Sequence, residues 1–132
     1  MHEWALAEAV ISAASEVADK EGLRRVSEVS LRVGALQQID HEVLRFALLQ
    51  LRKAKLKDAR FRIEHVRARM KCRACGHTWV FNEKQLDEDM VEAVHFVPEI
   101  AHVYVRCPSC GSPDFEVLEG RGVWLRSVKG VK

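Results

Sequence analysis

Apolar residues recur every three or four positions near the start of the chain, which is the spacing of one face of a helix. The segment from Trp4 to Lys20 is rich in alanine, a strong helix former. Glu21-Gly22 follows, and glycine is common just after the last turn of a helix. The pattern predicts a helix that begins almost at residue 3 and buries one stripe, formed by Leu6, Val10, Ala13, Ala14 and Val17.

The apolar period changes to two between Val26 and Val33, which predicts a half-buried strand. Gly34-Ala35-Leu36 then leads into a short turn. Asp40 precedes a second run with helical spacing that reaches Leu51. We expect Asp40 to cap this helix, because a carboxylate at that position accepts hydrogen bonds from free backbone N–H groups. Alternation returns from Ala59 and predicts another strand, with one face formed by Phe61 and Ile63.

Two C-x-x-C-G motifs, at residues 72–76 and 107–111, are the strongest local signal in the chain. Two closely spaced thiolates can hold one tetrahedral ion, and the following glycine permits the tight turn that directs backbone N–H groups at sulfur. Two such knuckles predict a closed, structural zinc site with four ligands. A redox role is less favoured, because a dithiol motif needs no second copy. The predicted zinc ligands are Cys72, Cys75, Cys107 and Cys110. His77 directly follows the first knuckle, a position that suits a residue supporting a zinc ligand rather than binding the ion.

The segment between the knuckles is longer than a minimal zinc ribbon requires. Residues 77–81 predict a strand that leaves the first knuckle, and Val103-Tyr104-Val105-Arg106 predicts a strand that enters the second. Between them, residues 82–102 form an acidic insertion, which we expect to contain a short helix ending near Pro98. A strand is also predicted at residues 123–128, and it could return to the first sheet.

These elements predict an α+β protein with a zinc-ribbon domain inserted between two strands of a small sheet that carries two helices. The predicted domains are residues 1–68 with 117–132, and residues 69–116 with the inserted segment near 82–102. The chain has 132 residues, of which 48% are hydrophobic and 30% charged, as expected of a soluble globular protein. It has no apolar run long enough to span a bilayer and no signal-peptide pattern, so we expect a cytoplasmic protein.

A net charge of +2 does not by itself indicate nucleic-acid binding. The basic residues between Arg60 and Arg73 allow two interpretations. We favour the polar face of a strand over a phosphate-contacting stripe, because few aromatic residues lie between the charges.

The first three residues, Met1-His2-Glu3, contain a potential metal chelate. The α-amine of Met1, the backbone amide nitrogen of His2 and the His2 Nδ1 atom can close a five-membered and a six-membered ring around one cation. Three nitrogens in one plane suit Ni(II) or Cu(II). Alternatively, His2 is simply an exposed terminal residue. Asp40 could join such a site if the fold brings its turn to the N-terminus, and the insertion could supply a further ligand from His95 or, less favoured, His102.

The combination of Met1-His2-Glu3, the Val33-Gly34-Ala35-Leu36 strand end, the two knuckles and Gly122-Val123-Trp124-Leu125-Arg126 resembles the HypA/HybF nickel metallochaperones of hydrogenase maturation. The resemblance implies a nickel-binding domain and a zinc ribbon. It also implies delivery of Ni(II) to the [NiFe]-hydrogenase large subunit, together with the nickel GTPase HypB. By position, His2 would be the main nickel ligand, Met1 and Glu3 would adjoin it, and Asp40 would be a further candidate. The acidic insertion departs from shorter members of the family.

No activated nucleophile, acid/base pair or phosphate-binding glycine loop is evident, so we expect no enzyme activity from this chain. Two alternatives to the chaperone are a zinc-ribbon protein that binds nucleic acid and a structural adaptor that binds the GTPase but carries no nickel.

Overall fold

The structure is a computed structural model, and it describes residues 2–82, 84 and 86–132. The helix predicted at the start of the chain is present as α1, His2–Lys20. The turn that follows α1 contains Gly22, whose φ of 69° is a conformation that L side chains rarely adopt. The buried side chains of α1 follow the predicted helical period, but the stripe is displaced. Val10 and Ala14 are buried as predicted, whereas Leu6, Ala13 and Val17 are only partly buried. Ala7, Ile11 and Ala18 complete the buried side.

The next three predicted elements are also present: strand β1 (Arg25–Gly34), helix α2 (His41–Leu51) and strand β2 (Arg60–Val66). The final strand, β6 (Val123–Val131), returns to the same sheet as predicted. The strand order of this first sheet is β2-β1-β6. The central strand β1 buries Val29 and Leu31, while α1 packs against α2, which buries Leu44 and Leu48. Each buried side chain of this size contributes about 1.5–3 kcal/mol to the free energy of unfolding.

A second sheet lies between β2 and β6 in the chain. It comprises β3 (Arg69–Cys72), β4 (Thr78–Val80) and β5 (Phe115–Glu119), in the order β4-β3-β5 with antiparallel pairs. Met70 lies opposite Trp79 on one side and Val117 on the other, and Cys72 lies opposite Phe115. The register therefore places the first knuckle beside the start of β5. The fold is mixed α+β, as predicted.

Between the two knuckles, the described residues form two α-helices, α3 (Glu88–Phe96) and α4 (Ala101–Tyr104). The predicted short helix is confirmed, but the predicted strand at Val103–Arg106 is wrong. Pro98 begins a 3-10 turn that continues directly into α4, and Ala101 and Val105 are buried four positions apart. The β propensity of Val-Tyr-Val is overridden by this packing, because strand propensity depends on context.

The contacts between Cα atoms divide the chain into two units. The first comprises the chain up to Arg32, Ile39–Glu64 and Trp124–Lys132, and the second comprises Val33–Gln38 and His65–Val123. The predicted domain limits, at residues 68/69 and 116/117, stay a prediction. The second unit has its own apolar core, which contains residues of both the second sheet and the insertion. The buried members are Ala35, Leu36, Ala68, Met70, Phe81, Val94, Ala101, Val105 and Phe115.

Within the second unit, the end of β1 meets the segment before β6 at very close range. The backbone N–H of Gly34 donates to the Gly122 carbonyl at 2.8 Å, and that of Leu36 donates to the Gly120 carbonyl at 3.0 Å. A Cβ atom added at Gly34 would lie 2.2 Å from the Gly120 carbonyl oxygen. Only glycine allows the two backbones to approach so closely.

Candidate metal centres

The four cysteines of the two knuckles converge on one point. All four Sγ atoms lie within 4.8 Å of one another. The Cys72 and Cys110 sulfurs are 3.5 Å apart, and those of Cys75 and Cys107 are 3.7 Å apart. Four sulfurs at about 2.3 Å from a tetrahedral zinc ion would be about 3.8 Å from one another. The cysteines are free thiols, and their spacing fits a divalent ion of this size.

Each knuckle uses the same backbone geometry. Gly76 and Gly111 have φ values of 80° and 77°, so both turns require the left-handed conformation that favours glycine. The N–H of Gly76 donates to the Cys72 carbonyl at 2.9 Å, and the N–H of Gly111 donates to the Cys107 carbonyl at 2.8 Å. The backbone N–H of Cys75 also points at the Cys72 sulfur, at 3.5 Å. The two turns therefore place their four thiols where one ion could contact them all.

Hydrogen bonding sets different protonation states within this cluster. The backbone N–H of Cys75, helped by that of Ala74, lowers the pKa of Cys72 to about 7. The backbone N–H of Ser112 lowers the pKa of Cys110, but contact with the Cys72 sulfur and desolvation outweigh it and raise that pKa to about 12. Without a metal, Cys72 is thus the first of these two thiols to ionise, while Cys110 keeps its proton. A divalent ion that binds all four sulfurs must displace that proton.

The predicted nickel ligands begin at the start of α1. Met1 lies outside the described residues, and His2 is an exposed residue at the first position of α1. Glu3 is only 8% exposed, and its Oε2 atom accepts a hydrogen bond of 3.1 Å from the backbone N–H of Asp40. The turn at Asp40 is therefore brought to the N-terminal end of α1.

Asp40 caps α2, as predicted. Its Oδ1 atom accepts hydrogen bonds from the backbone N–H groups of Glu42 and Val43, at 3.0 and 3.1 Å. Among the described residues, however, the four cysteines form the only group of three or more His, Cys, Asp or Glu side chains that could hold an ion. His2, Glu3, Asp40 and His95 do not form such a group. The predicted chelate also requires the amine of Met1, which lies outside the described residues.

His95 and His102 lie in the second unit, and each has a defined contact. The Nδ1 atom of His95 is 2.8 Å from the Gln37 carbonyl. Since a carbonyl only accepts, Nδ1 carries the proton and the ring's lone pair lies on Nε2. The Nδ1 atom of His102 is 3.1 Å from the Pro113 carbonyl, and its ring stacks on Phe115 with centroids 4.0 Å apart. This structural role of His102 has no local signal in the sequence, because Phe115 is distant in the chain.

The ring of His77 stacks on Trp79 with an interplanar angle of 9°, and its carbonyl accepts the N–H of Cys72 at 2.8 Å. The backbone carbonyl of His77 therefore stabilises the turn around Cys72.

The basic stretch between Arg60 and Arg73 forms polar strand faces, as favoured from the sequence. Arg60 and Arg62 are exposed on either side of buried Phe61. Arg69 lies 3.7 Å from Glu119, and Arg73 lies 2.9 Å from Asp114. Across the described part of the chain, none of the helices is both long and apolar enough to cross a membrane.

The fold is that of a small α+β protein in two units, and the four-thiolate pair of knuckles lies in the second unit. Comparison with known proteins gives the family. The HypA profile, described as "Hydrogenase/urease nickel incorporation, metallochaperone, hypA", matches residues 1–130. The chain belongs to the HypA family.

Several relatives are similar along their whole length. The chain is 41% identical to the hydrogenase maturation factor HypA of Pyrococcus furiosus, over 97% of this chain and 94% of that protein. It is 42% identical to HypA of Pyrococcus horikoshii, with 98% and 95% covered. The solution structure of the Ni metallochaperone HypA from Helicobacter pylori has the same fold, with a TM-score of 0.63 at 20% identity, over 98% of this chain and 97% of that one. The nucleic-acid-binding alternative is not favoured by these comparisons.

Proposed function

We propose that this chain binds Ni(II) at its N-terminus and delivers it for maturation of a [NiFe]-hydrogenase. The observation that carries the proposal is the match of a nickel-incorporation family over residues 1–130. We propose no catalytic step for the chain itself. The proposed partners are the nickel GTPase HypB, which would supply the nucleotide hydrolysis, and the hydrogenase large subunit, and the proposed compartment is the cytoplasm.

The proposed nickel ligands are the amine of Met1 and the amide nitrogen and Nδ1 of His2, with Glu3 adjoining. The position of His2 supports this arrangement. α1 begins at His2, and the first N–H groups of a helix have no acceptor within the helix. Binding of nickel by the deprotonated His2 amide would therefore break no helical hydrogen bond. The helix dipole also opposes a cation at this end, which favours release of the ion.

Asp40 and His95 are further proposed ligands. Capping of α2 uses Oδ1 of Asp40, and a carboxylate has a second oxygen that can bind a metal. His95 donates from Nδ1 to a backbone carbonyl, an arrangement that is typical of histidines that bind metal through Nε2. These two features support the proposal, and nickel binding by variants of each residue would test it.

We also propose that the four-cysteine centre binds Zn(II) and is structural. The separations of the sulfurs support an ion with bonds of about 2.3 Å, and four protein ligands leave no open position for catalysis. Metal analysis of the purified protein should find about one zinc ion per chain. Folded protein that contains no zinc would contradict this part of the proposal.

The central experiment is a nickel titration of the native protein beside four variants. His2→Ala and a form with one residue added before Met1 should both lose most of the nickel affinity, because the first removes the imidazole and the second moves the amine. Asp40→Asn preserves a capping oxygen, and a loss of affinity in this variant would favour its role as a ligand. The control is His65→Ala, which replaces an exposed histidine on β2 and should bind nickel normally.

Each outcome assigns a different part of the site. Unchanged affinity in the extended form would rule out the amine-amide-imidazole chelate. Unchanged nickel affinity in His2→Ala would overturn the proposed N-terminal site. Unchanged hydrogenase maturation by a His2→Ala protein that no longer binds nickel would favour an adaptor without nickel.

A further inference from the structure

The two helices of the insertion carry both buried and exposed apolar side chains. Val94 of α3 and Ala101 of α4 are buried in the core of the second unit. On the same two helices and at their ends, four large apolar side chains are exposed: Phe96 at 57%, Val97 at 47%, Val103 at 60% and Tyr104 at 37%. A helix that packs by one face normally has polar residues on the other, and a concentration of exposed apolar side chains marks an interaction site.

The charge of the same segment is strongly asymmetric. Residues 82–105 contain six acidic residues and one lysine, a net charge of −5, so the rest of the chain carries +7 of the total of +2. Four of these acidic residues are exposed at the start of α3: Asp87, Glu88, Asp89 and Glu92. Such a surface repels nucleic acid and anionic lipid, and it attracts a protein surface that is bordered by Lys and Arg.

We propose that the outer face of α3 and α4, formed by Phe96, Val97, Val103 and Tyr104, docks a protein that exchanges nickel with this chain. The contact surface of that protein would be apolar with a basic border. The inference rests on the proposed function in one respect: Phe96 directly follows His95, a proposed nickel ligand. The two rings are 5.7 Å apart in an edge-to-face contact. A protein that covers Phe96 is therefore next to His95, and transfer of an ion between ligands requires such proximity, since metal-nitrogen bonds are about 2 Å long.

The apolar part of this surface can be tested with a double variant, Val97→Ser with Val103→Ser, in the full-length zinc-loaded protein. The matched control is Val80→Ser with Leu118→Ser, because these side chains of the second sheet are exposed to a similar degree, at 47% and 45%. The probes are the purified nickel GTPase and the purified precursor of the hydrogenase large subunit from the same organism. We expect at least one probe to bind the native and control proteins. Its affinity for the Val97/Val103 variant should be lower by about tenfold or more. The nickel affinity of all three proteins should be the same.

The acidic border has its own test. Glu88→Lys with Asp89→Lys should weaken docking, and should reduce its dependence on salt concentration, more than Glu8→Lys with Glu16→Lys. The second pair lies on α1 and changes the net charge equally. Equal effects of the two pairs would mean that only the overall charge matters, which would overturn the proposed site.

Three further results would overturn the proposal. The first is failure of both probes to bind the native chain, and the second is equal binding of the native protein and the Val97/Val103 variant. The third is loss of self-association in that variant, measured by sedimentation velocity, which would assign the face to a second copy. If docking is lost in this variant while His2→Ala binds nickel normally, the docking surface is supported and the N-terminal nickel site is not.

Discussion

The carboxylate of Glu3 and the backbone N–H of Asp40 form a hydrogen bond of 3.1 Å. The bond joins the second residue of α1 to the N-cap of α2, and Glu3 is almost completely buried. Few water molecules can compete for a contact in such a position, and a charged acceptor strengthens it. Glu3 therefore has a structural role in addition to its proposed place beside nickel.

Replacement of Glu3 should separate these two roles. Glu3→Ala leaves the Asp40 N–H without its charged acceptor and should lower the free energy of unfolding by about 1–3 kcal/mol. Glu3→Gln keeps an oxygen acceptor and should lose less. Urea denaturation of the zinc-loaded proteins measures both values. Equal losses in the two variants would show that the charge, and not the hydrogen bond, stabilises the N-terminal end of α2.

Binding of zinc should release more protons at lower pH. In the metal-free protein the pKa of Cys72 is about 7 and that of Cys110 is about 12. At pH 8 Cys72 is mostly a thiolate, whereas at pH 6 it is mostly protonated and must lose its proton to bind. Cys110 loses a proton at both values. Calorimetric titrations in buffers of different ionisation enthalpy measure the number of protons released when zinc binds. Cys72 should contribute nearly one more released proton at pH 6 than at pH 8, and the affinity for zinc should fall as the pH is lowered. An affinity that is independent of pH would exclude binding through these thiols.

Gly34 should tolerate no side chain. Its own backbone is extended, with φ of −73°, so the cost arises from the Gly120 carbonyl, 2.2 Å from an added Cβ. Gly34→Ala should lower the free energy of unfolding by about 2–3 kcal/mol or more, because the two backbones must separate. Gly22→Ala is the comparison: space is open there, and only its φ of 69° opposes a side chain, at about 1 kcal/mol. Thermal unfolding should show that Gly34→Ala is destabilised more than Gly22→Ala. The opposite ranking would mean that the close approach of the two backbones is unimportant.

His102 should influence how firmly the zinc is held, although it lies outside the four-cysteine cluster. Its ring stacks on Phe115, and its Nδ1 atom contacts the carbonyl of Pro113, just after the second knuckle. His102→Ala removes both contacts and should speed the loss of zinc to a chromogenic chelator several-fold, while His102→Phe keeps the stacking and should be intermediate. His65→Ala serves again as the control. Native release rates in His102→Ala would show that α4 does not support the knuckle.

Local patterns in the sequence are sufficient where a single element satisfies its own requirements. The period of α1, the capping carboxylate of Asp40 and the glycine after each knuckle all depend on neighbours a few residues away, and all are present in the structure. The same reasoning fails at Val103–Arg106, because β-branched residues suggest a strand while the buried pair Ala101 and Val105 follows a helical spacing.

Contacts between distant residues lie beyond this kind of reasoning. Glu3 meets Asp40 across 37 positions, and His95 meets Gln37 across 58. No local signal specifies either pair, since each depends on how whole elements pack. The convergence of the four cysteines is the exception, because a tetrahedral ion requires it and the repeated motif reveals it.

The second sheet is entered from β2 and left into β6, and both of these strands belong to the first sheet with β1. A protease that cuts once in the acidic insertion would therefore not liberate either half. The two fragments would each keep strands of both sheets and two of the four cysteines, so they should remain together until a denaturant or a strong chelator separates them. Expressed from separate genes, the same halves should reassemble when zinc is supplied.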